Sequence, residues 1–217
     1  MTSMHRHQIA RLSAAGWHRL RAGDWDSEAR ECLGYWAGRG LPVVVTRQPE
    51  QSNDSGYIAM GLCAPARWRH RRLALRVART EVLFFDEFPC LDKLITQLPH
   101  RARTPARRLA AALKACGVTA RVYGSHGWQH LTGLSHVRDG SDLDVWVSIS
   151  GTAQADAVAA ALNAFNSPCR LDGELVFDGD AAVAWREWLA WRDGRTQALL
   201  VKRLRGASMP TSMEVPA

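Results

Sequence analysis

Alternation of apolar and polar positions divides this chain into short strands and amphipathic helices. His5–Leu12 and Leu41–Thr46 read as strands, with Pro42 weakening the start of the second. Between them, Trp25, Ala29, Cys32, Leu33 and Trp36 recur at helical spacing, so Asp24–Ala37 is expected to be a helix capped by Asp24. Gln48–Gly56 has loop chemistry. Tyr57–Cys63 and Arg72–Val77 are expected strands around a turn at Ala64–Arg71.

The pattern then changes. Leu91–Leu98 reads as a helix that Pro99–Pro105 should break. Ala106–Cys116 is strongly amphipathic and ends at Gly117. Ala120–Tyr123, Leu143–Ile149 and Cys169–Phe177 read as strands. Ser125–Leu134, Thr152–Phe165 and Val183–Trp191 read as helices between and after them. A domain boundary is expected near residues 80–90, giving an N-terminal domain at 1–85 and a second at 86–217.

One stretch of the second half carries chemistry. Gly124-Ser125 stands between a strand end and a helix start, where glycine permits close backbone approach and helix amides bind anions. Downstream, Ser141-Asp142-Leu143-Asp144-Val145 places two carboxylates at i and i+2 of a strand, hence on one face. Like charges so close disfavour each other's ionisation, and a divalent cation removes the repulsion. Oxygen ligands favour Mg²⁺ or Mn²⁺, and Mg²⁺ typically joins one or two carboxylates to substrate phosphates.

Gly-Ser followed by an apolar-flanked Asp-x-Asp resembles the pattern of the nucleotidyltransferase superfamily of polymerase-β-like enzymes. That resemblance implies an α+β fold with a mixed sheet and flanking helices, here beside a smaller N-terminal α/β domain. Sixteen residues separate Ser125 from Asp142, more than the superfamily usually has. Such enzymes carry a third carboxylate on a later strand. Asp172 and Glu174 both qualify and share a strand face; Asp172 is favoured as general base, metal ligand or both. His126, His130 and His136 lack the Glu of a zinc HExxH helix, so they are expected on a helix surface or facing phosphate, while Trp128 and Leu131 bury that helix.

The longer string from Arg121 through Tyr123-Gly124-Ser125-His126-Gly127-Trp128-Gln129-His130-Leu131-Thr132-Gly133-Leu134, then Ser141-Asp142-Leu143-Asp144, is more specific. It resembles the phosphoribosyl-dephospho-CoA transferases of malonate decarboxylase, the MdcG family of holo-acyl-carrier-protein synthases. Arg6-His7, Leu41-Pro42-Val43-Val44-Val45, Arg71-Arg72-Leu73-Ala74-Leu75 and Ala184-Trp185-Arg186-Glu187 extend the likeness over roughly residues 5–200. The resemblance implies transfer of a phosphoribosyl-dephospho-CoA group from 2′-(5″-triphosphoribosyl)-3′-dephospho-CoA to a serine of the acyl carrier subunit, with pyrophosphate leaving. It implies Mg²⁺ on Asp142 and Asp144, the triphosphate on Gly124 and Ser125, and serine deprotonation by Asp172. Arg121 and Arg170 flank the two strands and are candidates for stabilising pyrophosphate.

Composition sets the partners. The net charge is +7, carried mainly by arginine, since Lys93, Lys114 and Lys202 are the only lysines. Arginine binds phosphate bidentately, and a basic surface speeds encounter with an acidic carrier. Arg67, Arg69, Arg71 and Arg72 crowd the Ala64–Arg71 turn beside Trp68, which makes the N-terminal half a candidate for carrier or CoA binding. The alternatives are another nucleotidyltransferase, acting on a protein or small molecule, and an inactive RNA- or protein-binding module. No RNA motif is recognisable, so nucleic acid is not the expected partner. The five cysteines are scattered and never spaced as CxxC, which fits a reducing cytoplasm rather than a disulfide or zinc framework. Neither a signal segment nor a membrane span is expected.

Overall fold

The computed structural model describes residues 4–49, 56–177 and 180–209. Most of the expected Gln48–Gly56 loop lies outside them. The first half comprises β1 (Ile9–Leu12), α1 (Ala14–Arg21), α2 (Ser27–Gly38), β2 (Val43–Val45), β3 (Tyr57–Cys63), β4 (Arg72–Ala78) and β5 (Val82–Asp86). Its sheet has the order β4-β3-β2-β1-β5, and every pairing is antiparallel. The N-terminal half is therefore not α/β, as expected from a helix between two strands. The chain returns from α2 to lay β2 antiparallel to β1, and the short β3–β4 and β4–β5 connections leave no room for a parallel crossover.

The second half comprises α3 (Leu91–Leu94), α4 (His100–Ala115), β6 (Ala120–Val122), α5 (Gly124–Thr132), β7 (Leu143–Ser148), α6 (Thr152–Asn163), β8 (Leu171–Phe177), β9 (Ala181–Ala184), α7 (Trp185–Arg192), β10 (Val201–Lys202) and β11 (Ala207–Ser208). The sheet order is β11-β10-β9-β8-β7-β6, mixed because β7 and β8 run parallel while the other pairs are antiparallel. The chain is thus α+β with a mixed sheet flanked by helices. Helix α6 is the crossover between β7 and β8, as a parallel pair requires.

Several boundaries differ from expectation. Pro99–Pro105 does not break the chain: Pro99 caps α4 and Pro105 lies inside it. Only about one turn precedes Pro105, so its missing N–H costs one bond near the helix start. The buried stripe Ala102, Ala106, Leu109 and Leu113 holds the helix against the core. Val183 belongs to β9 rather than to a helix, and α7 begins at Trp185. Helix α1, capped by Ser13 Oγ accepting from Gly16 N–H at 3.2 Å, and edge strand β5 have no counterpart in the sequence reading.

Alternation on β7 and β8 sets the architecture of the site. Leu143, Val145 and Val147 on β7, with Leu171, Leu175 and Phe177 on β8, face the core beneath α4, α6 and α7. The intervening residues face the first half. Trp128 of α5 is buried in the N-terminal core beside Phe88, with ring centroids 5.6 Å apart, and Leu131 packs against that core. Helix α5 therefore bridges the two halves. Among the described residues no helix is long and apolar enough to cross a membrane.

Candidate active site

Parallel register sets Asp144 beside Asp172 and Trp146 beside Glu174. Asp142 precedes β7 on the same face as Asp144. Asp142, Asp144 and Asp172 each offer a carboxylate oxygen, and these atoms lie within 4.8 Å of one another. Among the described residues no other group of three His, Cys, Asp or Glu side chains has metal-binding geometry. His126 and His136 are instead buried, and His130 Nδ1 lies 2.9 Å from Gln97 Nε2.

Two glycines let the backbone close around the carboxylates. Gly124 opens α5 at φ +59°, and a Cβ there would fall 2.0 Å from Asp144 Oδ2. Tyr123 N–H donates to the Asp144 carbonyl at 3.0 Å, which fixes the start of α5 to β7. Gly173, at φ +155°, leaves no room for a Cβ, which would meet the Val145 carbonyl oxygen at 2.0 Å. Its N–H donates to Asp172 Oδ1 at 2.9 Å. The N-terminus of α5, with Gly124 and Ser125, thus stands beside Asp144, where its amides and dipole favour an anion.

Burial, then the charges of Asp172 and Asp142, push the Asp144 carboxyl up to about 7. Asp142 is held below the usual carboxylate range by hydrogen bonds from Arg170. Arg170 Nε donates to Asp142 Oδ1 at 2.7 Å, its Nη2 donates to Asp142 Oδ2, and Nη2 stands 3.9 Å from Asp172 Oδ2. A cluster of three carboxylates, one pushed toward the neutral form, fits a hard divalent cation: all donors are oxygen and their mutual repulsion is what such a cation relieves.

Asp172 joins the aspartate pair and Glu174 does not. Glu174 lies 3.0 Å from Lys202 Nζ, 3.5 Å from His7 Nε2 and 3.6 Å from Arg6 Nη2. Burial opposes its charge, yet His7, Arg6 and Lys202 outweigh it and hold the carboxyl down at about 2. The His7 ring stacks on Tyr123 with centroids 4.2 Å apart. This cluster ties the N-terminal segment to the carboxylate-bearing sheet. Arg6-His7 stood out in the sequence, but no local pattern gave the pair a role.

Two expectations about arginines need correction. Arg121 does not approach the aspartates. Its Nη1 donates to the Phe88 carbonyl at 2.8 Å and its guanidinium lies over Trp146, further along the sheet. The Arg-rich turn does not offer free cations either. Arg67 pairs with Glu31 at 2.7 Å, Arg69 with Glu28 at 2.6 Å and Arg71 with Asp26 at 2.5 Å, all acids of α2 or its cap. Arg170 and the charges of Arg72 and Arg186 remain beside the carboxylates.

The sequence matches two family profiles. Residues 5–88 match the N-terminal domain and residues 90–212 the C-terminal domain of phosphoribosyl-dephospho-CoA transferase MdcG. A phosphoribosyl-dephospho-CoA transferase of Bradyrhizobium diazoefficiens is 33% identical, covering 92% of this chain and 86% of its own. The Xanthomonas euvesicatoria protein of that name is 32% identical over 91% of this chain and 89% of its own. The Pseudomonas aeruginosa one is 30% identical over 82% and 80% respectively. No solved structure matches this chain. A glycine-opened helix set against three clustered carboxylates, with both profiles together spanning nearly the whole sequence, leads to one assignment: this chain belongs to the MdcG family of phosphoribosyl-dephospho-CoA transferases.

Proposed function

We propose that this enzyme transfers the phosphoribosyl-dephospho-CoA group of 2′-(5″-triphosphoribosyl)-3′-dephospho-CoA to a serine of the acyl carrier subunit of malonate decarboxylase, releasing pyrophosphate. The observation that carries this reading is the convergence of Asp142, Asp144 and Asp172 within 4.8 Å, with Gly124 pressed beneath Asp144. We read the arrangement as a polymerase-β-like nucleotidyltransferase site, a reading that the transferase names of the relatives support.

Asp142, Asp144 and Asp172 would hold Mg²⁺. Bound there, the ion supplies neutralisation of charge on the reacting phosphoryl group and on the leaving pyrophosphate. The backbone at Gly124 and the hydroxyl of Ser125 hold the triphosphate at the start of α5; the missing side chain at Gly124 lets the Asp144 carboxylate stand against that backbone, so the helix amides and the acids lie side by side. Asp172 receives the proton of the carrier serine as its Oγ attacks the α-phosphorus. Arg170 lies within reach of both Asp142 and Asp172 and stabilises the departing pyrophosphate. The net charge of +7 draws an acidic carrier toward the surface. Five free cysteines fit a cytoplasmic setting.

Incubating the protein with the triphosphoribosyl precursor, the apo carrier and Mg²⁺, followed by intact-mass spectrometry of the carrier, tests the reading. A carrier heavier by one phosphoribosyl-dephospho-CoA group is expected. An unmodified carrier, with ATP or UTP yielding pyrophosphate instead, would assign the site to a different nucleotidyl transfer.

A further inference from the structure

Arg170 has a fixed root and a free arm. It stands immediately before β8, and its carbonyl accepts from Leu143 N–H at 2.8 Å, which pins its backbone to the start of β7. Its guanidinium meets only carboxylates. Nε donates to Asp142 Oδ1 at 2.7 Å, Nη2 donates to Asp142 Oδ2, and Nη2 stands 3.9 Å from Asp172 Oδ2. The side chain is 65% exposed, so nothing encloses it. Neighbouring arginines are anchored differently. Arg186 Nη2 donates to the Leu171 carbonyl at 3.0 Å, and its guanidinium lies 4.1 Å from the Trp185 ring centroid. Arg121 is bonded to the Phe88 carbonyl. Unlike them, Arg170 can change partners without giving up a backbone carbonyl or a ring.

Its partner is the group that a metal needs. The three carboxylates offer oxygens within 4.8 Å of one another, and Arg170 covers both oxygens that Asp142 has to give. A divalent ion at that cluster and a guanidinium gripping the same carboxylate are like charges at close range, so each weakens the other's hold. The two compete for Asp142. A phosphate suits the displaced guanidinium well, because it presents several anionic oxygens that the planar fork grips in pairs.

We propose that Arg170 works between two stations: on Asp142 in the arrangement seen here, and on the donor's phosphates once a divalent ion takes Asp142. The inference rests on the transfer proposed above and adds the order in which its parts meet. A metal ion arriving alone has to displace Arg170 and leaves it without a partner. A metal ion arriving with phosphate gives the guanidinium a new pairing for the one it loses. The acids are thereby kept from holding a divalent ion tightly until the phosphate donor is present. Metal and phosphate binding are coupled through one side chain, and each raises the affinity for the other.

Two titrations of the full chain test the exchange: Mn²⁺ alone, followed by its electron paramagnetic resonance signal, and pyrophosphate at saturating Mg²⁺, followed by calorimetry. Far-UV circular dichroism checks that each variant folds. Arg170→Gln removes the competing cation. It should bind Mn²⁺ at least ~3-fold tighter than wild type, a modest gain because the ion pair it breaks is exposed. It should bind pyrophosphate at least ~10-fold weaker, having lost a two-pronged phosphate contact. Arg170→Lys keeps the charge without the fork and should move both affinities in the same directions by less. Arg186→Gln is the control for charge alone, since Arg186 acts on Asp142 through its field and is bonded elsewhere. Its loss should leave Mn²⁺ affinity within ~2-fold in ordinary salt. Mn²⁺ affinity no tighter in Arg170→Gln than in wild type, a gain that Arg186→Gln matches, or pyrophosphate affinity that Arg170→Gln leaves unchanged overturns the proposal. A wild type that shows the exchange but modifies no carrier contradicts the transfer alone.

Discussion

Gly124 lies against Asp144 so closely that a single methyl group on its Cα would fall 2.0 Å from the carboxylate oxygen Oδ2. The contact welds the helix start to the strand that carries the acids. Gly124→Ala meets both a positive φ of +59° and this clash. The left-handed conformation alone costs about 1 kcal/mol or more, and the displaced carboxylate adds to it. We expect a Tm lowered by several degrees and transfer reduced by at least ~100-fold, because a shift near 1 Å in a positioned group is enough for that. Urea titration alongside the carrier-mass assay measures both.

Asp142, Asp144 and Asp172 differ in what they lose on neutralisation. Each Asp→Asn change should lower transfer by roughly 10³-fold or more, the scale of removing a group that holds charge in the transition state. Asp144→Asn should also leave the fold as stable as wild type or more so. It replaces a half-buried carboxyl that partial burial and two neighbouring acids already push up to about 7. Removal of divalent ions by EDTA should abolish transfer and Mg²⁺ should restore it. A variant with wild-type turnover, or activity persisting in EDTA, contradicts the metal site.

Glu174 should report on the joint between the two halves, not on metal binding. Its carboxylate is 6% exposed and faces Arg6, His7 and Lys202. Removing one partner of a buried charge cluster typically costs about 3–5 kcal/mol. Glu174→Ala should therefore lower the urea midpoint sharply, with Mn²⁺ affinity of the remaining folded protein unchanged. An equal loss of Mn²⁺ affinity would place Glu174 among the metal ligands.

The legible parts of this site are those encoded at short range. Period-two alternation shows that Asp142 and Asp144 share a face, and it raises Asp172 and Glu174 together; only the parallel register and the partners Arg6, His7 and Lys202 around Glu174 separate those two. A run of arginines at 67, 69 and 71 reads locally as free charge, while its partners Glu31, Glu28 and Asp26 are 36 to 45 positions away in the chain. Strand β5 escapes the pattern because Leu83, Phe84 and Phe85 are all exposed at a sheet edge, so no face alternates. Pro105 reads as a breaker, yet the buried stripe through Ala102, Ala106 and Leu109 outweighs one missing bond.

His136 should make the fold sensitive to acid. It is 2% exposed, stacks on Trp128 at 6.2 Å, faces Trp36 edge-on at 6.5 Å and meets Thr132 Oγ1 at 3.0 Å. Burial, with the nearby His70 adding to it, pushes the ring down to about 4 from an ordinary 6.5. Between those values the unfolded chain binds a proton that the native ring refuses. Stability is therefore complete above about pH 6.5 and falls as the pH drops toward 4, by on the order of 3 kcal/mol if the full shift is expressed. His126 is shifted the same way by burial, so the comparison must be with a variant. His136→Gln keeps a hydrogen-bonding group near Thr132 but cannot titrate. Urea unfolding from pH 7.5 to 4.5 should show a shallower loss for the variant than for wild type. Parallel curves would mean that His136 is charged in the native protein or contributes nothing to its acid response.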